Sequence, residues 1–115
     1  MPFGFDRSRR LRHRTEFDLV YADGRVVRRG PVRIHGLANG LDHHRLGLSV
    51  PRRAGNAVRR NRMKRLLREA FRRMQDDGPR GYDLVITLGP HEPHLLAEYQ
   101  KLLARAVQEM NRAAS

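Results

Sequence analysis

The chain has 115 residues, the size of one domain with one modest hydrophobic core. Its 24 Lys and Arg residues outnumber 12 Asp and Glu residues, and the formal net charge of +12 is typical of proteins that bind polyanions, above all nucleic acids. The absence of cysteine excludes disulfide bonds, thiolate metal sites and a cysteine nucleophile.

The N-terminal part of the sequence predicts an arm followed by a short helix. Residues 1–10 show no hydrophobic periodicity, and we expect them to form a flexible arm. A helix is expected to begin at Thr15, because Thr15 and Asp18 approximate a capping box. Phe17 and Tyr21 are four positions apart and therefore lie on one face of this helix.

Three strands are predicted after the first helix. They cover residues 25–29, 32–38 and 45–50, and the second and third alternate between apolar and other side chains. Gly30-Pro31 separates the first two strands, and Pro51 ends the third. This spacing predicts a small sheet, with a loop between its second and third strands.

An amphipathic helix is the most regular pattern in the chain. Asn56 is a good N-cap, and the apolar residues from Met63 to Met74 recur at helical spacing. A mostly apolar strand follows over residues 83–88, and its composition indicates a central position in the sheet. The last helix is expected over residues 95–110, with a frayed tail at 111–115.

This order of elements predicts the fold class. The sequence α-β-β-β-α-β-α favours one α+β domain in which helices pack on a four-stranded sheet. There is no repeat, low-complexity tract or linker that divides the chain. Residues 1–115 are therefore expected to form a single domain.

Positive charge is concentrated on the helix that follows Asn56. From Arg59 to Arg73 there are eight basic residues and one acidic residue, Glu69. Like charges at i, i+4 each cost a helix a few tenths of a kcal/mol, so this face makes sense if phosphates neutralise it. The backbone N–H groups after Gly55 add a phosphate-binding corner. The alternative is an ordinary solvated basic face in which Gly55 serves only the turn.

The segment that begins at Gly55 resembles the RNR signature of the bacterial ribonuclease P protein component family. The residues that carry the resemblance are Gly55, Asn56, Ala57, Val58, Arg60, Asn61, Arg62, Lys64, Arg65, Arg68 and Glu69. Residues 11–24 resemble the first helix of that family, and residues 45–50 resemble the strand before the RNR helix. The resemblance extends from about residue 10 to residue 88.

This resemblance implies a fold and a partner RNA. It implies a left-handed βαβ crossover around the RNR helix, whereas general rules favour right-handed crossovers. It also implies that the RNR helix and its flanks bind the ribonuclease P RNA. The residues expected to face that RNA are Arg52, Arg53, Asn56, Arg59, Arg60, Asn61, Arg62, Lys64, Arg65 and Arg68.

A cleft between the first helix and the sheet is implied to bind the 5′ leader of precursor tRNA. Phe17 and Tyr21 match the aromatic pair of the family's first helix, and a ring that stacks on an unpaired base contributes about 1–3 kcal/mol. Without the resemblance, both rings would be interpreted as the core of a short helix. His35 and Ser49 are expected to line the same cleft, although His35 has an imidazole where a stacking ring would be expected.

The sequence contains no recognisable set of catalytic side chains. The pairs His43-His44 and His91/His94 are too small for the usual tetrahedral metal site, which needs three or four ligands, so no protein metal site is expected. In the family that the chain resembles, the RNA with bound Mg²⁺ hydrolyses the phosphodiester. The resemblance therefore implies a non-catalytic subunit of a ribonucleoprotein endoribonuclease, with ribonuclease P RNA and precursor tRNA as partners and no protein partner.

Two other functions were weighed against this one. A structural RNA-binding module, such as a small ribosomal protein, is disfavoured by the RNR signature, and a self-sufficient nuclease by the missing catalytic set.

No segment approaches the roughly 20 apolar residues that span a bilayer, and residues 1–11 lack the apolar core of a signal peptide. We therefore expect a cytoplasmic protein without a membrane partner.

Overall fold

Helices and strands follow one another in the predicted order. In this computed structural model, which describes residues 7–74 and 81–114, the Cα radius of gyration is 13.3 Å, as expected for one compact domain of this length. The elements are α1 (Arg14–Asp23), β1 (Arg25–Arg29), β2 (Val32–Ala38), β3 (Arg45–Ser49), α2 (Ala57–Arg73), β4 (Tyr82–Leu88) and α3 (Leu96–Ala114). Among the described residues, no helix is long and apolar enough to cross a membrane.

The four strands form one sheet in the order β1-β2-β4-β3. β4 is antiparallel to β2 and parallel to β3, and all its residues except Thr87 are buried. The central position predicted for β4 is thereby confirmed. β3, α2 and β4 form a parallel βαβ unit, and the left-handed sense of its crossover stays a prediction of the family resemblance.

The two faces of the sheet are covered unequally. α2 and α3 pack on one face and complete the main core with Ile34, Leu46, Leu84 and Ile86 of the sheet. Among the described helices, α1 is the one that packs on the opposite face, where it buries Val20 near Val85. Because α1 has 10 residues and crosses a four-stranded sheet, part of this second face remains accessible beside the helix.

The prediction for the start of α1 was wrong by one residue. The helix begins at Arg14 with His13 as its N-cap, not at Thr15. The Glu16 carboxylate accepts hydrogen bonds from the N–H groups of Arg12 and His13, both at 3.1 Å. Glu16 therefore provides the acceptor for backbone N–H groups at the start of the helix, because its side chain is long enough to reach back to these donors.

Both terminal segments contain helical turns where they are described. In the arm, residues 7–9 form a 3-10 turn and the Leu11 N–H donates to the Leu46 carbonyl at 2.9 Å. This backbone hydrogen bond ties the end of the arm to the outer edge of β3. At the other terminus α3 continues to Ala114, beyond the predicted helix end at residue 110, and the Tyr82 hydroxyl donates to Asn111 Oδ1 at 2.9 Å. The rest of the predicted arm and Ser115 lie outside the described residues.

Candidate nucleic-acid interface

A tight turn at Gly55 sets the start of α2. Gly55 has a φ of 153°, a conformation that is essentially restricted to glycine, and a Cβ there would lie 2.9 Å from Arg59 Cδ. The predicted N-cap is present, since Asn56 Oδ1 accepts the Arg59 N–H at 2.8 Å. Arg60 Nε donates to the Gly55 carbonyl at 3.1 Å. These hydrogen bonds fix the first turn of α2, the backbone of Arg59 and the side chain of Arg60.

The ten residues predicted to face RNA lie on α2 and on the turn before it, and we call them the α2 surface. Seven are exposed: Arg52, Arg53, Asn56, Asn61, Arg62, Arg65 and Arg68; Arg59, Arg60 and Lys64 are half-buried. Since each residue turns an α-helix by about 100°, Arg65 and Arg68 point away from the buried Met63 and Leu67. The amphipathic pattern thus separates the charged side of α2 from the side that packs on the sheet.

The α2 surface extends around both flanks of the helix. On one flank Arg59 forms an ion pair with Glu92, in the loop before α3, at 3.0 Å. On the other flank Arg68 lies beside Leu46 and Leu48 of β3. The α2 surface therefore reaches from the loop before α3 to the outer edge of the sheet.

Acidic side chains neutralise little of this surface. Glu69 binds Arg72 Nη2 at 2.6 Å and Arg73 Nε at 2.6 Å, and these hydrogen bonds lower the pKa of Glu69 to about 2. Within the described ranges, neither Arg65 nor Arg68 forms an ion pair. The exposed guanidinium groups on the outer side of α2 are available for an anionic partner.

α1 forms one wall of a groove on the open face of the sheet. The Phe17 ring lies directly over Gly47, where an added Cβ would be 2.6 Å from Phe17 Cζ. One turn later, the Tyr21 hydroxyl is 3.2 Å from Thr87 Oγ1, and its ring meets His35 edge-on at a centroid distance of 4.9 Å. The structure therefore brings together three of the four residues predicted to form a cleft.

The fourth residue, Ser49, belongs to a row of polar side chains on the floor of this groove. The strand register aligns Ser49 with Thr87, Thr87 with Arg33, and Arg33 with Arg28. Residues in register project from the same face of a sheet, here the face that carries Tyr21. We call the groove between α1 and this row the α1 cleft.

Sequence reasoning missed Thr87, Arg33 and Arg28 as members of this row. The alternation within β2 and β4 places the Arg33 and Thr87 side chains on the face opposite Ile34 and Ile86, and that signal was available. The order of the strands, which brings the three side chains side by side, cannot be read from local periodicity.

His35 is the most unusual group in the α1 cleft. Its Nδ1 atom is buried and has no hydrogen-bond partner among the described residues. Burial lowers the pKa of His35, and the charges of Arg33 and Arg28 lower this pKa further. The imidazole is therefore mainly neutral at pH 7, so His35 offers the cleft a hydrogen-bonding ring rather than a cation.

A nearly buried ion-pair network holds α1 in place. Asp83 accepts hydrogen bonds from Arg45 Nε at 2.8 Å, Arg45 Nη2 at 2.7 Å and Asn39 Nδ2 at 2.9 Å. Arg45 Nη1 also lies 3.5 Å from Glu16 Oε2 in α1. Hydrogen bonds from His13 and Arg12, together with Arg45, keep the pKa of Glu16 below its usual value. The network links α1 to β3 and β4 and so positions the cleft wall.

The histidines that were weighed as metal ligands make other contacts. His44 is buried, and its Nδ1 accepts the Tyr82 N–H at 3.0 Å. His91 Nε2 lies 2.8 Å from the Tyr99 hydroxyl. Among the described residues, no group of three or more His, Cys, Asp or Glu side chains could hold a metal ion.

Comparisons with known proteins point to one family. Residues 5–113 match the family model described as Ribonuclease P. The chain is 41% identical over 86 residues to the ribonuclease P protein component of Thermotoga maritima, which covers 75% of this chain and 74% of that relative. It is 33% identical over 104 residues to the component of Staphylococcus carnosus, and this match covers 90% of each chain.

Solved structures give the same result. The Staphylococcus aureus RNase P protein superposes with a TM-score of 0.70 at 26% identity, over 89% of this chain and 94% of that one. The RNase P protein from Thermotoga maritima superposes with a TM-score of 0.66 at 31% identity, over 90% of this chain and 96% of that one. The range matched by the family model includes both the α2 surface and the α1 cleft.

Proposed function

Because the chain belongs to the ribonuclease P protein component family, which serves the 5′ processing of tRNA, we propose that it binds two RNAs. The α2 surface binds the catalytic ribonuclease P RNA, and the α1 cleft binds the single-stranded 5′ leader of precursor tRNA. The observation that carries this proposal is the separation of a basic helix surface from an aromatic groove on the opposite face of the sheet.

The α2 surface fits a structured RNA. Arg65 and Arg68 point outward without acidic partners among the described residues, and Arg52 and Arg53 extend the charge past the helix start. Guanidinium groups bind phosphate oxygens through paired N–H donors, and such contacts position a protein without reading sequence. The rigid first turn at Gly55 lowers the entropic cost of holding these groups in place.

The α1 cleft fits an unpaired strand. Tyr21 is 41% exposed, so its ring is accessible to a base, and Phe17 is half-buried beside it. Arg33 and Arg28 are exposed on the floor and can neutralise the backbone of that strand. Stacking combined with a basic floor binds single strands with little sequence preference. This is the recognition that a variable leader requires.

We propose that the protein contributes binding and no catalytic group. Ribonuclease P RNA would hold the Mg²⁺ ions that stabilise the attacking and leaving oxygens of phosphodiester hydrolysis. The protein's arginines offset repulsion between the two RNAs, so substrate and metal ions bind more tightly. The same proposal places the protein in the cytoplasm, where precursor tRNA is processed.

Reconstitution tests the proposal. Full-length protein is mixed with ribonuclease P RNA and precursor tRNA at low Mg²⁺, and 5′ cleavage is followed. We expect the protein to stimulate cleavage. Protein that is folded by circular dichroism and gives no stimulation would contradict the proposed function.

A charge-matched pair of variants tests the α2 surface separately. The triple variant Arg62→Ala, Arg65→Ala, Arg68→Ala should bind RNA with a weaker dependence on salt. We expect the slope of log K against log salt concentration to become shallower by roughly 0.7–0.9 per lost phosphate contact. The control carries Lys101→Ala, Arg105→Ala and Arg112→Ala on α3, which removes the same charge from exposed positions. Equal reductions in both variants would show that net charge, not the α2 surface, binds the RNA.

A further inference from the structure

We propose that a pocket at the outer edge of β3 is an additional subsite for one nucleotide of the single-stranded leader, an inference that rests on the proposed function. The pocket has a volume of about 210 Å³. Its cationic rim is formed by Arg10, Arg12 and Arg68, and its apolar wall by Phe17, Leu46 and Leu48. The pocket shares Arg68 with the α2 surface and Phe17 with the α1 cleft, and its other lining residues belong to neither surface.

The pocket exists because the N-terminal segment pairs with the sheet. β3 is an edge strand, and Arg10 forms an isolated parallel bridge with Leu46 of that strand. The Leu11 N–H donates to the Leu46 carbonyl at 2.9 Å, so the backbone on this side is held by a hydrogen bond. α1 closes the second side through Phe17, and α2 closes the third through Arg68. Three separate elements thus position the lining residues.

The chemistry of the lining selects an anion next to a flat apolar group. No carboxylate lines the pocket, and neither the Arg12 nor the Arg68 guanidinium forms an ion pair in the parts of the chain that are described. The nearby Glu16 carboxylate is already occupied by the Arg12 and His13 N–H groups and by Arg45. A phosphate fits the rim, and a base fits the Phe17 edge and the partly exposed Leu48 side chain.

Size decides between a paired and an unpaired nucleotide. The volume is below the roughly 300 Å³ at which pockets for drug-sized ligands begin, so the pocket holds one base or one phosphate group. A base can enter such a pocket only when it is not stacked in a duplex, because single strands expose bases that helices hide. The ligand is therefore a nucleotide of an unpaired strand.

Continuity with the α1 cleft assigns the pocket to the leader. Phe17 lines both sites, so a strand that leaves the cleft past this ring reaches the edge of β3 next. Arg68 lies on the far side of the pocket and belongs to the α2 surface. The leader nucleotide in the pocket would therefore sit where the substrate approaches the catalytic RNA.

Two neighbouring arginines provide a matched test. Arg12 lines the pocket; Arg14 does not, its side chain is 93% exposed, and its Nε lies 4.0 Å from the exposed Asp18 carboxylate. Each substitution by alanine removes one charge from the same short segment. We compare the affinity of the holoenzyme for precursor tRNAs whose leader is shortened stepwise from its 5′ end.

We expect Arg12→Ala to weaken binding of the long-leader precursor about 10- to 150-fold, as the loss of one charge-assisted hydrogen bond predicts. This loss should disappear with the shortest leader, and Arg14→Ala should have an effect of less than about twofold throughout. Equal losses for the two variants, or an Arg12→Ala loss independent of leader length, would overturn the subsite. Wild-type holoenzyme without any preference for leader-bearing over mature tRNA would instead contradict the proposed function.

Cross-linking identifies the strand in the pocket. The chain has no cysteine, so Arg12→Cys carries a single thiol for an aryl azide label, and Arg14→Cys is its control. We expect the label at position 12 to cross-link to leader nucleotides more strongly than the label at position 14. Cross-links from position 12 to ribonuclease P RNA alone would replace the leader with the catalytic RNA as the occupant and overturn the assignment.

Discussion

Arg45 of β3 binds Asp83 of β4 through two parallel hydrogen bonds, from Nε at 2.8 Å and from Nη2 at 2.7 Å. Bidentate arginine–carboxylate pairs are the strongest and most directional ion pairs in proteins. Because Arg45 also reaches Glu16 at 3.5 Å, the pair connects α1 to the sheet beneath it. The shape of the α1 cleft depends on this connection.

Asp83→Ala should lower the free energy of unfolding by roughly 2–3 kcal/mol, because it leaves Arg45 in a partly buried site without its partner. The value is set below that of fully buried pairs since the Arg45 side chain is 26% exposed. Urea denaturation measures the loss. Asp18→Ala, which removes a 4.0 Å pair with a 66% exposed carboxylate, is the control and should change stability by less than about 0.5 kcal/mol. Similar small changes in both variants would contradict an anchoring role.

Gly47→Ala should displace the Phe17 ring from the sheet. The added Cβ would lie 2.6 Å from Phe17 Cζ and 3.2 Å from Leu11 Cβ, so the half-buried Phe17 ring has to move away from the sheet. We expect a loss of about 1–3 kcal/mol of stability from overpacking and weaker binding of leader-bearing precursor. Gly89→Ala is the matched control, because its nearest neighbour would be at an ordinary 3.5 Å. Unchanged leader binding by folded Gly47→Ala protein would show that the position of Phe17 is not critical.

Tyr21→Ala should weaken binding of precursor tRNA with a leader by about 1–3 kcal/mol, the contribution of one stacked base. Mature tRNA should bind equally well to the wild type and to Tyr21→Ala. Tyr21→Phe separates the ring from its hydroxyl, which contacts Thr87 at 3.2 Å, and should retain most of the affinity because the stacking surface remains. Fluorescence titration with labelled precursor and mature tRNA gives the affinities of the wild type and the two variants. If Tyr21→Ala weakened mature tRNA equally, the ring would serve packing and not the leader.

Stability should rise with pH through the titration of His35. The folded-state pKa of His35 lies below its unfolded value of about 6.5, so near that pH the unfolded chain binds more protons than the folded one. The contribution of neutral His35 is therefore complete above pH 6.5 and is lost as pH falls from 6.5 to the lower folded-state pKa. Urea unfolding at pH 7.5 and 5.5 should show a smaller pH dependence for His35→Phe than for the wild type. Equal pH dependence would mean that His35 is not held neutral.

Much of the fold was predictable because its signals are local. The spacing of Met63, Leu67 and Met74 predicted α2, Asn56 predicted its N-cap, and the apolar run after Tyr82 predicted a central strand. Each of these depends on neighbours within a few residues, where helix and strand periodicity act directly. The α2 surface was predictable for the same reason, since side chains of one helix stay on its faces whatever packs against it.

Only the tertiary structure decided how distant residues meet. Sequence determined that the chain has a basic helix, an aromatic first helix and four strands, and its RNR motif indicated the family. The strand order β1-β2-β4-β3 then aligned Ser49 with Thr87 and brought Arg45 to Asp83, 38 residues away. The edge pocket likewise requires three elements that are remote in sequence. Such contacts depend on strand pairing and on burial of α1 against one face, and these are set by the packing of the whole domain.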